Sequence, residues 1–131
     1  MFNQFEQRKK YYLHIPLLIY WIILFILTSI PTDALPSPFG ISDKLEHFAA
    51  YFVLSFLMTL TLYFREKNDW FSKHYLIAGV LISSFYGVFD EIHQFFIPGR
   101  YCEFYDFLAN VLGTLTGSSL VFHLLKTHNQ K

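Results

Sequence analysis

The chain has 131 residues, of which 53% are hydrophobic, 21% are aromatic and only 15% are charged. A soluble domain of this size has too little interior to bury so many aromatic side chains. The formal net charge is zero, and since a nucleic-acid partner would require a basic face, none is predicted. The single cysteine excludes an internal disulfide and a cysteine-rich metal site. This composition is typical of an integral membrane protein.

The first apolar run, residues 13–30, holds 18 residues without a formal charge and follows a basic segment at 8–10. At about 1.5 Å per residue, a helix over this run reaches roughly 27 Å, close to the thickness of a hydrocarbon core. A cleaved signal peptide is the alternative interpretation. The run is long for a signal peptide, however, and no A-x-A-like cleavage site follows it. We therefore interpret it as a membrane span.

Three further apolar runs predict three more spans, at about 44–64, 75–97 and 107–125. The segment 31–42 contains three prolines and a glycine and is predicted to be a loop. Ser42 or Asp43 can cap the helix that follows, with Glu46 completing a capping box. The sequence thus predicts an all-α, four-span transmembrane bundle of two hairpins, forming a single domain over 1–131.

The lysines and arginines are unevenly distributed between the two sides of this bundle. With the N-terminus inside, the outer segments carry two of them, Lys44 and Arg100, and the inner segments carry eight: Arg8, Lys9, Lys10, Arg65, Lys67, Lys73, Lys126 and Lys131. Cytoplasmic loops carry the excess of these residues, so both termini are predicted to be cytoplasmic. Seven of the ten acids lie at or near the predicted outer face. A site that faces outward would explain this clustering.

A short pattern, D-x-L-x-[HN], occurs once after each predicted outer loop, as DKLEH at 43–47 and as DFLAN at 106–110. A small residue follows three positions later in each case, Ala50 and Gly113. Two parallel hairpins related by an axis along the membrane normal would produce such a repeat. A chance match over five residues is the alternative.

Ionisable groups inside membrane spans are costly and indicate function by default. Asp43 and His47 are four residues apart and share a helix face. A carboxylate beside an imidazole suits a general base or a metal ligand, whereas a helix cap at the interface is the structural alternative. Asp90, Glu91 and Gln94 form a polar wedge late in the third run. Hydrogen bonding between helices is the structural alternative for this wedge.

Arg100 lies in the predicted outer turn, where its guanidinium group suits a carboxylate or a lipid phosphate. A salt bridge to Asp106 or Glu103 is the structural alternative. Asn110 lies inside the fourth predicted span, and the GxxxG at 113–117 follows it. This small-residue spacing permits a close helix–helix contact.

The chain lacks the sequence motifs of common cofactor and metal sites. It contains no HExxH, no paired-histidine spacing, no phosphate loop, no dinucleotide fingerprint and no G-x-S-x-G elbow. We therefore predict no cofactor and assign no metal ligand.

In their order and spacing, the polar residues resemble the VanZ-like family of bacterial integral membrane proteins. The similar pattern covers about 13–125 and consists of Asp43-Lys44-x-x-His47, Glu91-x-x-Gln94, Arg100, and Asp106-x-x-x-Asn110 followed by Gly113. The resemblance implies a multi-pass protein of the bacterial plasma membrane that acts in the cell envelope. The family is named for a member linked to resistance to the glycopeptide teicoplanin. The resemblance implies no particular reaction.

These observations predict an outward-facing polar cleft that engages a membrane lipid, a lipid-linked cell-wall precursor or a glycopeptide-type ligand and contributes to antibiotic tolerance. The predicted ligand-binding residues are Asp43, Lys44, His47, Asp90, Glu91, Gln94, Arg100, Asp106 and Asn110. The alternative is a membrane-embedded transferase or hydrolase with His47 and Asp43 as the base and Glu91 as the acid. A proton-coupled transporter ranks last, because four spans make a thin pathway unless the chain forms a homo-oligomer, which the sequence leaves open.

Overall fold

The computed structural model describes the backbone of residues 2–31, 43–65 and 69–129 and the side chains of 11–31, 43–65 and 69–128. Within these ranges every regular element is helical: α1 (Phe2–Ser29), α2 (Asp43–Tyr63), α3 (Trp70–Lys73), α4 (Tyr75–Phe95) and α5 (Phe104–Asn129). Four segments are long and apolar enough to cross a membrane: Tyr11–Ser29, Asp43–Tyr63, Tyr75–Phe95 and Phe104–His128. The predicted all-helical, four-span architecture is therefore confirmed for the described part of the chain.

α1 and α5 extend further than the apolar runs that predicted them, whereas α4 ends at Phe95, two residues before the predicted end of its run. α1 begins at Phe2 and α5 continues to Asn129, since the polar residues flanking the spans include good helix formers such as Gln, Lys and Arg. The predicted polar connection over 65–73 contains the short helix α3, which Asp69 caps by accepting a hydrogen bond from the Phe71 amide at 3.4 Å. The predicted loop at 31–42, and the predicted cap from Ser42, lie outside the described residues except for Pro31.

α2 and α5 run parallel and approach closely, because two glycines of α5 allow it. A Cβ on Gly113 would overlap the carbonyl oxygen of Phe48, and one on Gly117 would overlap that of Phe52. The predicted close contact at the GxxxG is therefore confirmed, and its partner is α2. Near the other end of this contact, the hydroxyls of Thr59 and Ser118 lie 2.9 Å apart.

α4 runs antiparallel to α2 and α5, and glycines again allow a close approach. Gly79 lies against Thr59, and Gly87 lies against the ring of Tyr51 and the side chain of Asn110. Small residues on α4 thus bring its polar stripe against α2 and α5.

α1 packs antiparallel to α2 and parallel to α4. The Tyr20 hydroxyl donates to the Ala50 carbonyl at 2.9 Å, and Ser29 Oγ lies 2.9 Å from His93 Nε2. The C-terminal ends of α1 and α4 therefore meet the N-terminal ends of α2 and α5 at one end of the bundle, here called the cluster end.

Apolar side chains cover much of the outer surface of the bundle, including Ile22, Phe85 and Leu112. The buried side chains include both apolar residues and a series of small polar ones: Ser55, Thr59, Thr61, Ser83, Thr114 and Ser118. This distribution suits a hydrocarbon environment, where polar side chains lie between the helices rather than on the lipid-facing surface.

Candidate functional site

Seven polar residues meet at the cluster end, supplied by α2, α4, α5 and the residue before α5. They are Asp43, Lys44, His47, Glu91, Glu103, Asp106 and Asn110, and together they are called the polar cluster. The side chains of Asp43, Lys44 and Glu103 are 58%, 42% and 47% exposed and form its rim. Those of the other four are buried and form its floor. The polar cluster therefore reaches from the protein surface into the spans.

His47 projects from the second turn of α2 into the centre of the polar cluster. Its Nδ1 lies 3.0 Å from Asn110 Oδ1 and 3.4 Å from Glu91 Oε1. The Asn110 amide nitrogen donates to Glu91 Oε1 at 3.3 Å, so the oxygen of this amide must be the atom that faces His47. Because that oxygen only accepts, Nδ1 carries the ring proton that donates to it.

The second ring nitrogen of His47 faces two carboxylates. Nε2 lies 3.8 Å from Asp43 Oδ1 and 3.9 Å from Asp106 Oδ2. These distances exceed those of a hydrogen bond. Residues of α4 and α5 thus hold the ring of His47 at Nδ1. Nε2, on the other side of the ring, lies near one carboxylate oxygen from α2 and one from α5.

Glu91 accepts a hydrogen bond on each oxygen of its carboxylate. Its Oε1 accepts from Asn110, and its Oε2 accepts from the backbone N–H of Glu103 at 3.4 Å. The carboxylate of Glu91 on α4 therefore connects to the second turn of α5 and to Glu103, the residue that precedes α5.

Lys44 neutralises part of the rim. Its ammonium nitrogen lies 2.6 Å from Glu103 Oε2 and 2.9 Å from Asp106 Oδ1, and it lies 3.8 Å from Asp43 Oδ2. It therefore contacts the aspartate oxygens that face away from His47. This cation bridges the N-terminal ends of α2 and α5.

Three other predicted site residues form a neighbouring set with Tyr51, here called the Asp90 network. Tyr51 donates its hydroxyl hydrogen to Asp90 Oδ2 at 3.1 Å, and Gln94 Nε2 donates to the same oxygen at 3.4 Å. Arg100 Nη1 donates to Gln94 Oε1 at 3.3 Å. The network continues the polar face of α4 toward α1.

The remaining donors of Arg100 bind the C-terminal end of α1. Nε donates to the Ile30 carbonyl and Nη2 donates to the Leu27 carbonyl, both at 2.9 Å. Among the described contacts of Arg100, neither of the acids considered from sequence, Asp106 or Glu103, appears. Lys44 contacts both of those acids instead.

A model of the VanZ/LLP1 family matches residues 3–126, nearly the whole chain. The chain belongs to the VanZ/LLP1 family. This confirms the resemblance drawn from the polar motifs and, with the four apolar helices, indicates a multi-pass membrane protein. Comparison with curated proteins and with solved structures gave no match.

All nine site residues predicted from sequence lie at the cluster end of this VanZ/LLP1-family protein. Six belong to the polar cluster, and Asp90, Gln94 and Arg100 belong to the Asp90 network. Two residues were missed as members of the site. Tyr51 lies one turn after His47 on the predicted polar face, and Glu103 lies three residues before Asp106, so helical spacing was the available signal.

The corresponding positions of the two D-x-L-x-[HN] segments face one another. His47 contacts Asn110, and oxygens of Asp43 and Asp106 lie 3.8 and 3.9 Å from His47 Nε2. The parallel course of α2 and α5 is the arrangement that a repeated hairpin would give.

Charges of one sign predominate at the cluster end. The polar cluster and the Asp90 network together contain five carboxyl groups and, besides the imidazole of His47, the basic groups of Lys44 and Arg100. One ligand atom each from Asp43, His47 and Asp106 lie within 4.8 Å of one another. The arrangement can accommodate a cation at the rim or remove a proton with the imidazole of His47.

Proposed function

We propose that this VanZ/LLP1-family protein binds the polar headgroup of a lipid-linked envelope molecule at the polar cluster and thereby contributes to antibiotic tolerance. The supporting observation is the continuity between a charged, exposed rim and a floor of buried ionisable groups inside the spans. Ionisable groups are expensive in this position and are unusual without a function.

The deeper part of the same helix pair shows what packing alone requires. There, α2 and α5 are joined by the neutral hydroxyls of Thr59 and Ser118 and by close contact at glycine. At the cluster end the same two helices carry Asp43, His47 and Asp106 instead. Because neutral groups suffice to join the helices, the charges at the cluster end favour a ligand.

The surroundings of the rim suit a lipid-linked molecule. Tyr101, Phe104 and Tyr105 are at least two-thirds exposed and lie beside Glu103 in the chain. Aromatic side chains concentrate at the level of lipid headgroups. They would contact the first part of a lipid chain whose headgroup reaches the rim.

Lipid mass spectrometry on the purified protein tests this proposal. The wild type is expected to retain a phosphate-linked membrane lipid. An Asp43→Asn/Glu103→Gln variant is expected to lose it, because the two rim carboxylates that would hold polar or cationic parts of the headgroup are removed while their exposed positions tolerate amides. Asp69→Asn is the matched control, since Asp69 caps α3 away from the cluster end. An identical lipid profile in all three proteins would contradict the proposal, and so would retention of a glycopeptide alone.

A transferase or hydrolase acting on the lipid-linked molecule is a second candidate, favoured by the orientation of His47. A general base needs one ring nitrogen fixed and the other directed at the substrate, and Asn110 fixes Nδ1 of His47. In this mechanism Glu91 would serve as the acid and Asp43, at the rim beside Nε2, would face the substrate.

The two candidates separate under conservative substitution. For an enzyme, His47→Gln and Glu91→Gln should each abolish turnover and the tolerance phenotype while lipid still copurifies. Full biological effect in both variants would exclude the enzyme. Both oxygens of Glu91 accept hydrogen bonds. In Glu91→Gln the side-chain NH₂ group would therefore face one of these N–H donors and destabilise the protein, so the thermal unfolding of this variant must be measured in parallel.

A further inference from the structure

His47 Nε2 makes no hydrogen bond to another described residue. The His47 side chain is 10% exposed, and among the described residues the only hydrogen bond of its ring is made by Nδ1. With the proton on Nδ1, the lone pair of Nε2 points at two carboxylate oxygens, 3.8 and 3.9 Å away. Three acceptor atoms this close together repel one another unless a positive charge, such as a metal ion or a second proton on the imidazole, lies among them.

We propose that Asp43, His47 and Asp106 form a divalent transition-metal site. Bonds from Zn²⁺ to nitrogen and oxygen ligands are about 2.0–2.2 Å long, which places the ligand atoms roughly 3–4 Å from one another. The three atoms lie within 4.8 Å of one another. Small side-chain rotations therefore close the site, and the exposed rim residue Asp43 is free to make one of them.

The partners of His47 at Nδ1 support this assignment. A metal-bound histidine nearly always donates its other ring N–H to a carboxylate or a carbonyl oxygen, which fixes the tautomer. His47 does so toward Asn110, and Glu91 holds that amide in turn. One imidazole and two carboxylates suit Zn²⁺ or Mn²⁺ better than Ca²⁺, which prefers oxygen ligands alone.

Lys44 occupies the opposite side of the two aspartates. Its ammonium contacts Oδ1 of Asp106 and Oδ2 of Asp43, whereas His47 faces the other oxygen of each. The lysine thus leaves the three ligand atoms accessible but lowers the negative potential around them. Replacing Lys44 by methionine should therefore tighten metal binding, an effect that a purely structural cluster would not show.

Three protein ligands leave a position open toward the rim, as in catalytic zinc sites. If the proposed function is correct, this position takes a phosphate oxygen of the lipid-linked headgroup. The metal would then supply the positive charge that attracts the phosphate, which the negatively charged carboxylates of the rim cannot do.

Calorimetric titration of the EDTA-treated, full-length protein in detergent with ZnCl₂ or MnCl₂ tests the site without any lipid. One equivalent of metal should bind, and binding should depend on the carboxylates and on His47. Asp43→Asn should weaken binding at least about tenfold. Asn110→Ala, which removes the hydrogen-bonding partner of His47 Nδ1, should weaken it by as much. His47→Gln and Asp106→Asn should remove the site. His93→Gln and His123→Gln, which alter histidines away from the polar cluster, should bind like the wild type.

Because Asp43 is exposed, its variant keeps the test informative even if a buried variant fails to fold. The inference would be overturned if the wild type bound no metal saturably, or if Asp43→Asn bound metal as tightly as the wild type. Loss of metal binding in His123→Gln would also overturn it. Lipid mass spectrometry separates the two proposals: a metal-binding protein without lipid refutes only the proposed function, and a lipid-binding protein without metal refutes only the metal site.

Discussion

At the scale of single residues, Arg100 joins three parts of the chain with one side chain. It donates to the Ile30 and Leu27 carbonyls at the end of α1 and to Gln94 on α4. The last carbonyls of a helix lack intrahelical donors, so a cation placed there satisfies them and complements the helix dipole. The sequence indicated a binding residue, but helical periodicity does not reveal that the end of α1 lies within reach.

Arg100→Lys is expected to destabilise the protein because lysine keeps the charge but loses the planar fork. Loss of one or two hydrogen bonds from a charged donor should cost about 1.5–3 kcal/mol, measurable as thermal unfolding in detergent. Arg65→Lys is the control, since Arg65 pairs with Asp69 in an exposed position. Equal stability of the two variants would show that Arg100 does not hold the end of α1.

Tyr51→Phe tests the contact between α2 and the Asp90 network. The Tyr51 ring is buried and its hydroxyl donates to Asp90. Removing the hydroxyl therefore leaves a buried carboxylate oxygen of Asp90 with one hydrogen-bond donor fewer. The expected loss of unfolding free energy is about 1–3 kcal/mol. Tyr12→Phe, at an exposed position on α1, should unfold like the wild type, and a Tyr51→Phe protein of unchanged stability would contradict the prediction.

At the scale of the helices, hydropathy was sufficient to predict the four spans, and the GxxxG predicted a close contact. Neither could name the partner of α5, since small residues on α4 offered an equally suitable surface. The structure gives that contact to α2, where the backbone of Phe48 and Phe52 lies against the glycines. Helix ends were the weakest part of the prediction, because helix formation continues into polar residues that hydropathy excludes.

Gly113→Ala should therefore disturb the α2–α5 pair more than an alanine elsewhere on α5. The new methyl group meets the Phe48 backbone, which cannot rotate away as a side chain can, and overpacking of this kind costs about 1–3 kcal/mol. Ser119→Ala, at an exposed position of the same helix, should leave the unfolding temperature unchanged. An unaltered Gly113→Ala protein would mean that the two helices separate easily.

At the scale of the whole molecule, the site depends on two hairpins that meet at one end. Most of the predicted residues could be found as polar groups within apolar runs, where such groups are rare, and the others, Asp43, Arg100 and Asp106, lie in the segments next to those runs. Their grouping into a polar cluster and a separate network could not, since His47 and Asn110 are brought together only by the parallel packing of α2 and α5. The same separation in sequence hides the proposed metal site, as no spacing motif links Asp43 to Asp106.

The orientation of the bundle stays a prediction that one residue can test. Cys102 is the only cysteine in the sequence and is exposed, and it lies between α4 and α5 at the cluster end. If the excess of lysine and arginine at the other end marks the cytoplasm, a membrane-impermeant thiol reagent should label Cys102 in intact cells. A Cys102→Ser/His128→Cys protein moves the thiol to an exposed position near the C-terminal end of α5 and should be labelled only after lysis.

The opposite labelling result would place the polar cluster at the cytoplasmic face. Its ligand would then have to come from the inner leaflet, where lipid-linked precursors are also accessible but an extracellular glycopeptide is not.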